Sequence, residues 1–513
     1  MSTVTSQSSL SSPERCCLLD QLCRITSDAD THADPARYFL PLPSHGAALS
    51  DQYTIIRGER GAGKTALFRF VAWLQKEGGT QALRAMFSHA DLADSAQWID
   101  GFSEFGSYHP STITLDAFGQ TANIETLRIF WSAHLVTCLA DSVPTLPLTG
   151  IEDLRIIKNE HRHEPEKLVA WAKPRTAALL RWLDSAEQTF TKTGQTVYFA
   201  YDHLDRIGLS EPTVRNKYAG ALLNLWMSLA DRYRRLRAKV YIREDLFSAA
   251  KGTFTDANKL EYRSTLLTWN EESLYRVLIR HMAAQGKELR DWLTKPADGA
   301  RDGDSYLWQQ QLPLYEPSPV LSESIRAKLG FLPPYPLLPG HQKQLIDRLA
   351  GPTIGRGATS GPTWRWIPSR IQDARGAKAP RPLLNLIRYA AQHARERMDA
   401  SGEQLLTELD LVAALKPTSM NRIDELVQEY KFVNRLEHFR GAVMRLTKEE
   451  FQSRLAQPWP GETDGLGSQG DKVYEELVRL GVLQPFMDGT VDIPDIYRYA
   501  FDIKRQGRPR VPR

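Results

Sequence analysis

Residues 58–65 read Gly58-Glu59-Arg60-Gly61-Ala62-Gly63-Lys64-Thr65. This is the G-x-x-x-x-G-K-[ST] pattern of a phosphate loop, and it predicts a bound nucleoside triphosphate. Phosphate oxygens must be met at close range by backbone N–H groups. Side chains at Gly58, Gly61 and Gly63 would block that approach or forbid the backbone angles. A helix starting here presents the positive end of its dipole to the anion. The cradle is read as Gly58 to Ala66, with Lys64 reaching the β- and γ-phosphates of ATP and Thr65 ligating Mg²⁺. The flanks fit. Tyr53-Thr54-Ile55-Ile56 is a short β-branched and aromatic run suited to a buried strand. Leu67, Phe70, Val71 and Leu74 then recur on one face of a helix.

The loop needs a carboxylate for the Mg²⁺ shell and a group to orient the attacking water. Val197-Tyr198-Phe199-Ala200-Tyr201 is an apolar strand that delivers Asp202 to the carboxyl edge of a sheet, where ligands bind. Asp202 is assigned to Mg²⁺. Asp205, three residues on, either orients the water or caps the next helix. Arg243 closes a second strand, Lys239-Val240-Tyr241-Ile242, and either contacts the γ-phosphate or pairs with Glu244 or Asp245. Arg381 opens a later helix, as a second sensor or as a solvated helix start. Between the strands a long helix is expected over 212–237, with Arg232, Arg234, Arg235 and Arg237 at its end. These are an exposed helix end or a source of an arginine finger.

At 513 residues the chain has room for several domains, and 42% apolar with 25% charged residues suits a soluble globular protein. A net charge of +4 is too small to name a partner. The four cysteines, Cys16, Cys17, Cys23 and Cys138, show no C-x-x-C pairing and no disulfide framework, which fits a reducing, cytoplasmic compartment. No stretch is long and apolar enough to span a membrane. The nearest, Ile129 to Leu139, is short and contains His134, so it reads as a core helix. Met1 to Pro13 lacks an apolar region and reads as a flexible start, not a signal peptide.

The pattern divides the chain into a flexible N-terminus and helical lead-in (1–50), an α/β phosphate-loop core (51–270), a helical lid (271–415) and a winged-helix-like domain with a basic tail (416–513). The core carries a helical insertion over about 77–195, of which 77–120 has no clear period; helices are expected over 124–139 and 167–191. Dense Pro and Gly over about 295–380, including Phe331 to Pro336, read as a loop-rich insertion. Helical patterning returns at Pro382 to Met398. After a Gly-rich loop at Pro460 to Gly470, Val473 to Leu480 is amphipathic. A strand, the Asp488-Gly489 turn signal and a second strand at Val491 to Pro494 follow. Lys504, Arg505, Arg508, Arg510 and Arg513 close the sequence with no acidic residue among them, a feature that suits DNA or a protein partner.

With these residues assembled, the chain resembles prokaryotic phosphate-loop ATPases of the AAA+, STAND and KAP classes, many encoded near defence or mobile-element genes. The resemblance rests on the phosphate loop, on Tyr-Asp-His-Leu-Asp-Arg at 201–206, and on Val-Tyr-Ile-Arg-Glu-Asp-Leu-Phe at 240–247. It rests too on Asp-Ala-Asn-Lys-Leu at 256–260 with Leu267-Thr268-Trp269, and on Trp366-Ile367 through Pro380-Arg381. It covers roughly 50–400. It implies an ATPase core, a helical lid and ATP-driven switching, often in oligomers or multi-protein complexes. It carries Lys64, Thr65, Asp202, Asp205, Arg243 and Arg381 into the roles given above. Two departures stand out. The gap between Lys64 and Asp202 is long for a simple AAA+ core. His203 follows Asp202 where many such proteins have a glutamate base, which implies slow, switch-like turnover, in the context of anti-phage defence or of another partner. The alternatives are an origin-recognition-type DNA-binding protein with ATP as a ligand, and a nucleotide-dependent scaffold. A small-molecule kinase would need a compact acceptor pocket that this layout does not suggest.

Overall fold

A parallel sheet needs both faces covered, so its strands read as continuous apolar runs. The computed structural model shows this at the centre of the chain. It describes residues 10–28, 34–87, 90–104, 108–209, 211–252, 254, 257–294, 320–330, 339–355, 360–397, 404–460 and 465–505. They fall into two compact units, one of Asp34–Leu267 with Pro317–Leu329, the other of Met1–Ala33, Thr268–Glu316 and Gly330–Arg513.

The first unit is built on five strands, β1 (Ile55–Gly58), β2 (Ser95–Phe102), β3 (Gln195–Tyr201), β4 (Leu236–Arg243) and β5 (Ser264–Leu266), in the order β2-β3-β4-β1-β5. Every pairing is parallel. The phosphate loop joins β1 to the helix Lys64–Met86, whose Leu67, Phe70, Val71 and Leu74 are buried as expected. That helix is kinked at Gly79, which has φ 63°. Phe68 on it meets Tyr241 of β4 edge to face. Helices Ile124–Ser142 and Pro212–Arg232 join one core with Val197, Phe199 and Tyr201 of β3. Trp131 Nε1 donates to the Tyr218 carbonyl at 3.1 Å, which satisfies the only polar atom of a fully buried indole. Trp226 stands against Phe199 and Tyr201.

Several boundaries differ from the sequence reading. The first strand begins at Ile55 and runs into Gly58 itself. The stretch read as part of a helical insertion contains β2, a full member of the sheet. The helix expected over 167–191 is two helices, Pro165–Ala172 and Thr176–Thr193, parted by a 3₁₀ turn at Lys173–Arg175. Pro174 has no N–H for a helical bond, which accounts for the break. Leu180 on the second of these helices is exposed, while Leu179 and Leu183 are buried. The helix after β3 stops at Arg232, so Arg234 and Arg235 lie in the turn and Arg237 in β4.

In the second unit the helix Ser12–Cys23 begins within the stretch read as a flexible start. Ser11 caps it, with Ser11 N donating to Glu14 Oε2 at 3.1 Å. The Pro/Gly-rich region is helical over Pro339–Ala350 and Thr363–Ile371, while Phe331 to Pro336 lie outside the described residues. The second of these helices tolerates Pro368 for a visible reason. The missing N–H frees the carbonyl of Trp364, and the Tyr275 hydroxyl donates to it at 2.6 Å. The last helix expected there spans Pro380–Arg397 and packs with Glu408–Val427. At the C-terminal end Gln484–Pro485, Thr490–Asp492 and Leu446–Thr447 form a three-stranded antiparallel sheet beside helices Lys448–Leu455 and Gly470–Arg479. Gly489, at φ 79°, lies in the turn that joins Gln484–Pro485 to the central strand Thr490–Asp492. No helix among the described residues is long and apolar enough to cross a membrane.

Tyr275→Phe keeps the ring but leaves the Trp364 carbonyl without its donor. It is expected to cost about 1–3 kcal/mol of stability, read from urea unfolding. In a Pro368→Ala background, where the helix can supply its own N–H, the loss should shrink.

Candidate functional site

The phosphate loop leaves β1 at Gly58 and turns into the helix at Gly63. Gly61 and Gly63 have φ of 81° and 89°, a region that favours glycine. A Cβ on Gly58 would stand 3.1 Å from Ala62 Cβ, closer than ordinary contact, so a side chain there would push the loop apart by a few tenths of an ångström. Ala62 N donates to the Glu59 carbonyl at 3.0 Å. Lys64 folds back over the loop, with Nζ donating to the Gly58 carbonyl at 2.8 Å and the Glu59 carbonyl at 3.0 Å. Burial pushes its ammonium down to about 8, while Asp205 and Asp202 pull the other way and Arg243 adds to the depression.

Parallel β3 ends one residue before Asp202, at the same sheet edge. The Asp202 N–H donates to the Phe102 carbonyl of β2 at 2.9 Å, so the acid is fixed by a neighbouring strand. Its side chain is buried, and burial raises the carboxyl despite the opposing charge of His203 and hydrogen bonding from the Thr65 hydroxyl. Asp202 Oδ2 makes no hydrogen bond among the described residues. A buried, unsatisfied carboxylate oxygen beside a threonine hydroxyl suits a hard divalent cation.

Asp205 sits in a 3₁₀ turn, Leu204–Arg206. It does not cap the next helix, whose N-cap residue is Glu211 with no side-chain bond. Burial would raise its carboxyl, but Arg243, Lys64, His203 and Arg60 outweigh this and hold it below the usual range. Arg243 is buried as well, so it is not a surface ion pair. Its Nε and Nη2 fork onto Asp245 at 3.1 and 2.8 Å, and Nη1 lies 3.6 Å from Asp205 Oδ2. Glu244 instead faces Arg57 at 3.4 Å. Lys64, Thr65, Asp202, Asp205 and Arg243 are therefore together at one edge of one sheet.

Arg381 belongs to the other unit. It opens the helix Pro380–Arg397, pairs with Glu425 at 3.1 Å and is a partly buried group there, not a solvated helix start. The arginines after the long helix are engaged locally. Arg232 binds Asp184, Arg235 Nη1 donates to Thr196 at 3.1 Å, and Arg237 Nε donates to the Arg234 carbonyl at 2.8 Å.

His203 went unremarked as a site residue in the sequence, although its place between Asp202 and Asp205 was the available signal. It has φ 60°, its Nδ1 accepts from Glu104 N at 3.4 Å, and its charge acts on both acids. Glu104 in turn pairs with Arg206, so the loop after β2 and the acid loop are tied together.

No family model and no curated protein matches the chain. Among solved structures it is similar to the Aeropyrum pernix ORC2 protein in its ADPNP–ADP complexes, at 12% identity and TM-score 0.38, over 94% of this chain and 91% of that one. It is similar to the Aeropyrum pernix ORC1 protein in complex with DNA, at 12% identity and TM-score 0.32, over 95% and 91%. Cdc6p from Pyrobaculum aerophilum matches at 10% identity and TM-score 0.27, over 97% and 93%. At such identities and scores the likeness assigns neither ligand nor activity.

The loop's cation is expected to weaken as an anchor once Lys64 deprotonates. An anion held there should bind less tightly as pH rises through about 8, by roughly tenfold per pH unit above it if the ammonium is the dominant contact. Calorimetric titration with inorganic tripolyphosphate from about pH 7 to about pH 9 checks this, and a flat profile contradicts it.

Proposed function

We propose that this chain binds ATP with Mg²⁺ at the phosphate loop and hydrolyses it slowly, as a nucleotide-driven switch. The observation that carries the reading is the convergence of Lys64, Thr65, Asp202, Asp205 and Arg243 at the carboxyl edge of a parallel sheet, above a loop whose glycines hold it open. Gly58 to Ala66 would cradle the phosphates. Lys64, which here satisfies itself on two carbonyls, would transfer its hydrogen bonds to them. Thr65 and Asp202 would hold the Mg²⁺, which neutralises phosphate charge when bound. Asp205 would orient the attacking water. Arg243 holds Asp205 ionised, so it is a poor proton acceptor, and His203 occupies the place of a glutamate base. Both features favour slow turnover. For Arg243 to meet a γ-phosphate it would have to release Asp205 or Asp245, and that exchange is the proposed means of sensing the nucleotide. Arg381 is proposed as a second sensor from the helical unit.

The partner is proposed to be a protein, in a homo-oligomer or a larger complex, and not chiefly DNA. The exposed side of helix Gly470–Arg479 carries Asp471 and Glu475 against Lys472 and Arg479, with Arg479 held by Glu476 at 3.0 Å. The adjoining turn presents Met487, fully exposed, beside Asp488. Phosphate backbones attract cationic surfaces, and this one is mixed in charge with an apolar tip. Arg508, Arg510 and Arg513 lie outside the described residues and keep a DNA contact as the second reading. The resemblance to ATPases encoded near defence genes suits a switch triggered by such a partner.

Lys64→Ala is expected to abolish ATP binding, while Asp205→Ala should leave binding within a few-fold and reduce turnover by about 10²-fold or more. Affinity and phosphate release, measured separately, decide this; turnover unchanged in the lysine variant would end the reading. For the partner, any DNA binding by the full chain should be weak and vary little from about 50 to 200 mM salt. A loss of affinity of 10³-fold or more over that range, using duplex DNA of mixed sequence, would restore the DNA reading.

A further inference from the structure

A second cluster of chemistry-bearing side chains lies in the first unit, outside the phosphate site. His134 and Cys138 stand one turn apart on the helix Ile124–Ser142, so both side chains face the same way. His109, from the chain that follows β2, meets them. All three are buried. His109 Nδ1 is 3.0 Å from His134 Nε2, Cys138 Sγ is 3.6 Å from the same nitrogen, and the three atoms all lie within 4.8 Å of one another. Ligand atoms around a tetrahedral ion, at about 2.0–2.3 Å from it, are spaced in this range.

The outer side of the cluster points the same way. Asp100 Oδ1 is 3.1 Å from His109 Nε2, and Asp100 is itself fixed by Ser103 Oγ, which donates to Oδ2 at 2.6 Å. A carboxylate behind a histidine is the usual outer partner of a metal-bound imidazole. Neither outer nitrogen, His109 Nε2 nor His134 Nδ1, makes a hydrogen bond among the described residues. The inner nitrogens face each other at 3.0 Å, so in neutral rings one of them must carry a proton for the other. A cation between them lets both give lone pairs to the ion.

We propose that His109 Nδ1, His134 Nε2 and Cys138 Sγ bind one transition-metal ion, Zn²⁺ by their chemistry. Two imidazoles and a thiolate suit Zn²⁺ and disfavour Mg²⁺ or Ca²⁺. Binding releases the Cys138 thiol proton to solvent; burial otherwise pushes that thiol up to about 12, so the ion and not the surroundings makes the thiolate. The Asp100 carboxylate offsets the positive charge that remains. Three protein ligands leave one position of a tetrahedral ion for water. The site ties the end of β2 to the helix Ile124–Ser142, and it stands independently of the nucleotide reading.

The test uses the full-length chain, stripped with chelator and then titrated with Zn²⁺ against a chromophoric competitor. About one ion per chain with submicromolar affinity is expected, together with a rise in Tm. Co²⁺ in excess should give a thiolate-to-metal charge-transfer band in the near ultraviolet. Cys138→Ala, a small change at a buried site, should lose that band and at least about tenfold in Zn²⁺ affinity while keeping its circular dichroism spectrum. Zn²⁺ uptake equal to that of Cys138→Ala, or the absence of a Co²⁺ band in the wild-type chain, overturns the proposal. The second result does so whether or not the variant folds.

Discussion

Charges buried at one sheet edge hold one another ionised, and the proposed chemistry depends on it. A lone carboxylate or guanidinium taken out of water costs several kcal/mol; Asp202, Lys64 and Arg243 are buried, and Asp205 is partly so. Arg243 and Lys64 keep Asp205 charged, and Asp205 returns the favour to Lys64. Burial raises the Asp202 carboxyl, and His203, whose Nε2 is 3.8 Å from Asp202 Oδ2, offsets only part of this. The edge is thus balanced except at Asp202, where a divalent cation would complete it.

The strand that makes this balance possible is β4. It lies between the phosphate-loop strand and the acid strand, and Lys239, Tyr241 and Arg243 alternate onto one of its faces. Arg243 reaches Asp205 and Asp245. Tyr241 packs on Phe68 of the helix that follows the loop. Lys239 Nζ, at the far end, donates to the Ser50 and Tyr53 carbonyls at 2.5 and 2.6 Å and so fastens the chain entering β1. A strand lined with buried cations is tolerable only because each cation finds carbonyls or carboxylates within reach.

What was legible in the sequence was local. The phosphate loop is eight consecutive residues whose conformations are dictated by their own glycines. The run Val197 to Tyr201 is apolar throughout because it is covered on both faces. β2 was illegible for the opposite reason. It is an edge strand, Ser95-Ala-Gln-Trp-Ile-Asp-Gly-Phe, broken by the polar residues Ser95, Gln97 and Asp100 and by a register shift between Asp100 and Phe102. Its place is set by β3, almost a hundred residues on. The Pro-rich segment misled through composition: Pro339 sits at a helix start, and Pro368 is rescued by a hydroxyl from Tyr275, which no local pattern announces. His109, His134 and Cys138 escaped because counting cysteines finds thiolate pairs, whereas this cluster is assembled by folding.

β2 also explains how a loop carrying two acids stays in place. Its Phe102 carbonyl takes the Asp202 N–H, Glu104 engages both His203 and Arg206, and Gly101 is bare where a Cβ would strike the Tyr201 ring at 2.6 Å. Asp202 and His203 therefore have little freedom to move with the state of the ligand. Arg243 differs. Its partners include two carboxylates, Asp205 at the longer distance, and an arriving phosphate would offer the same fork geometry with more charge. In a proposed switch the acids are the fixed frame and the arginine is the part that changes allegiance. The 3.6 Å contact with Asp205 is then the one to break first, because it is longer than either bond of the fork on Asp245.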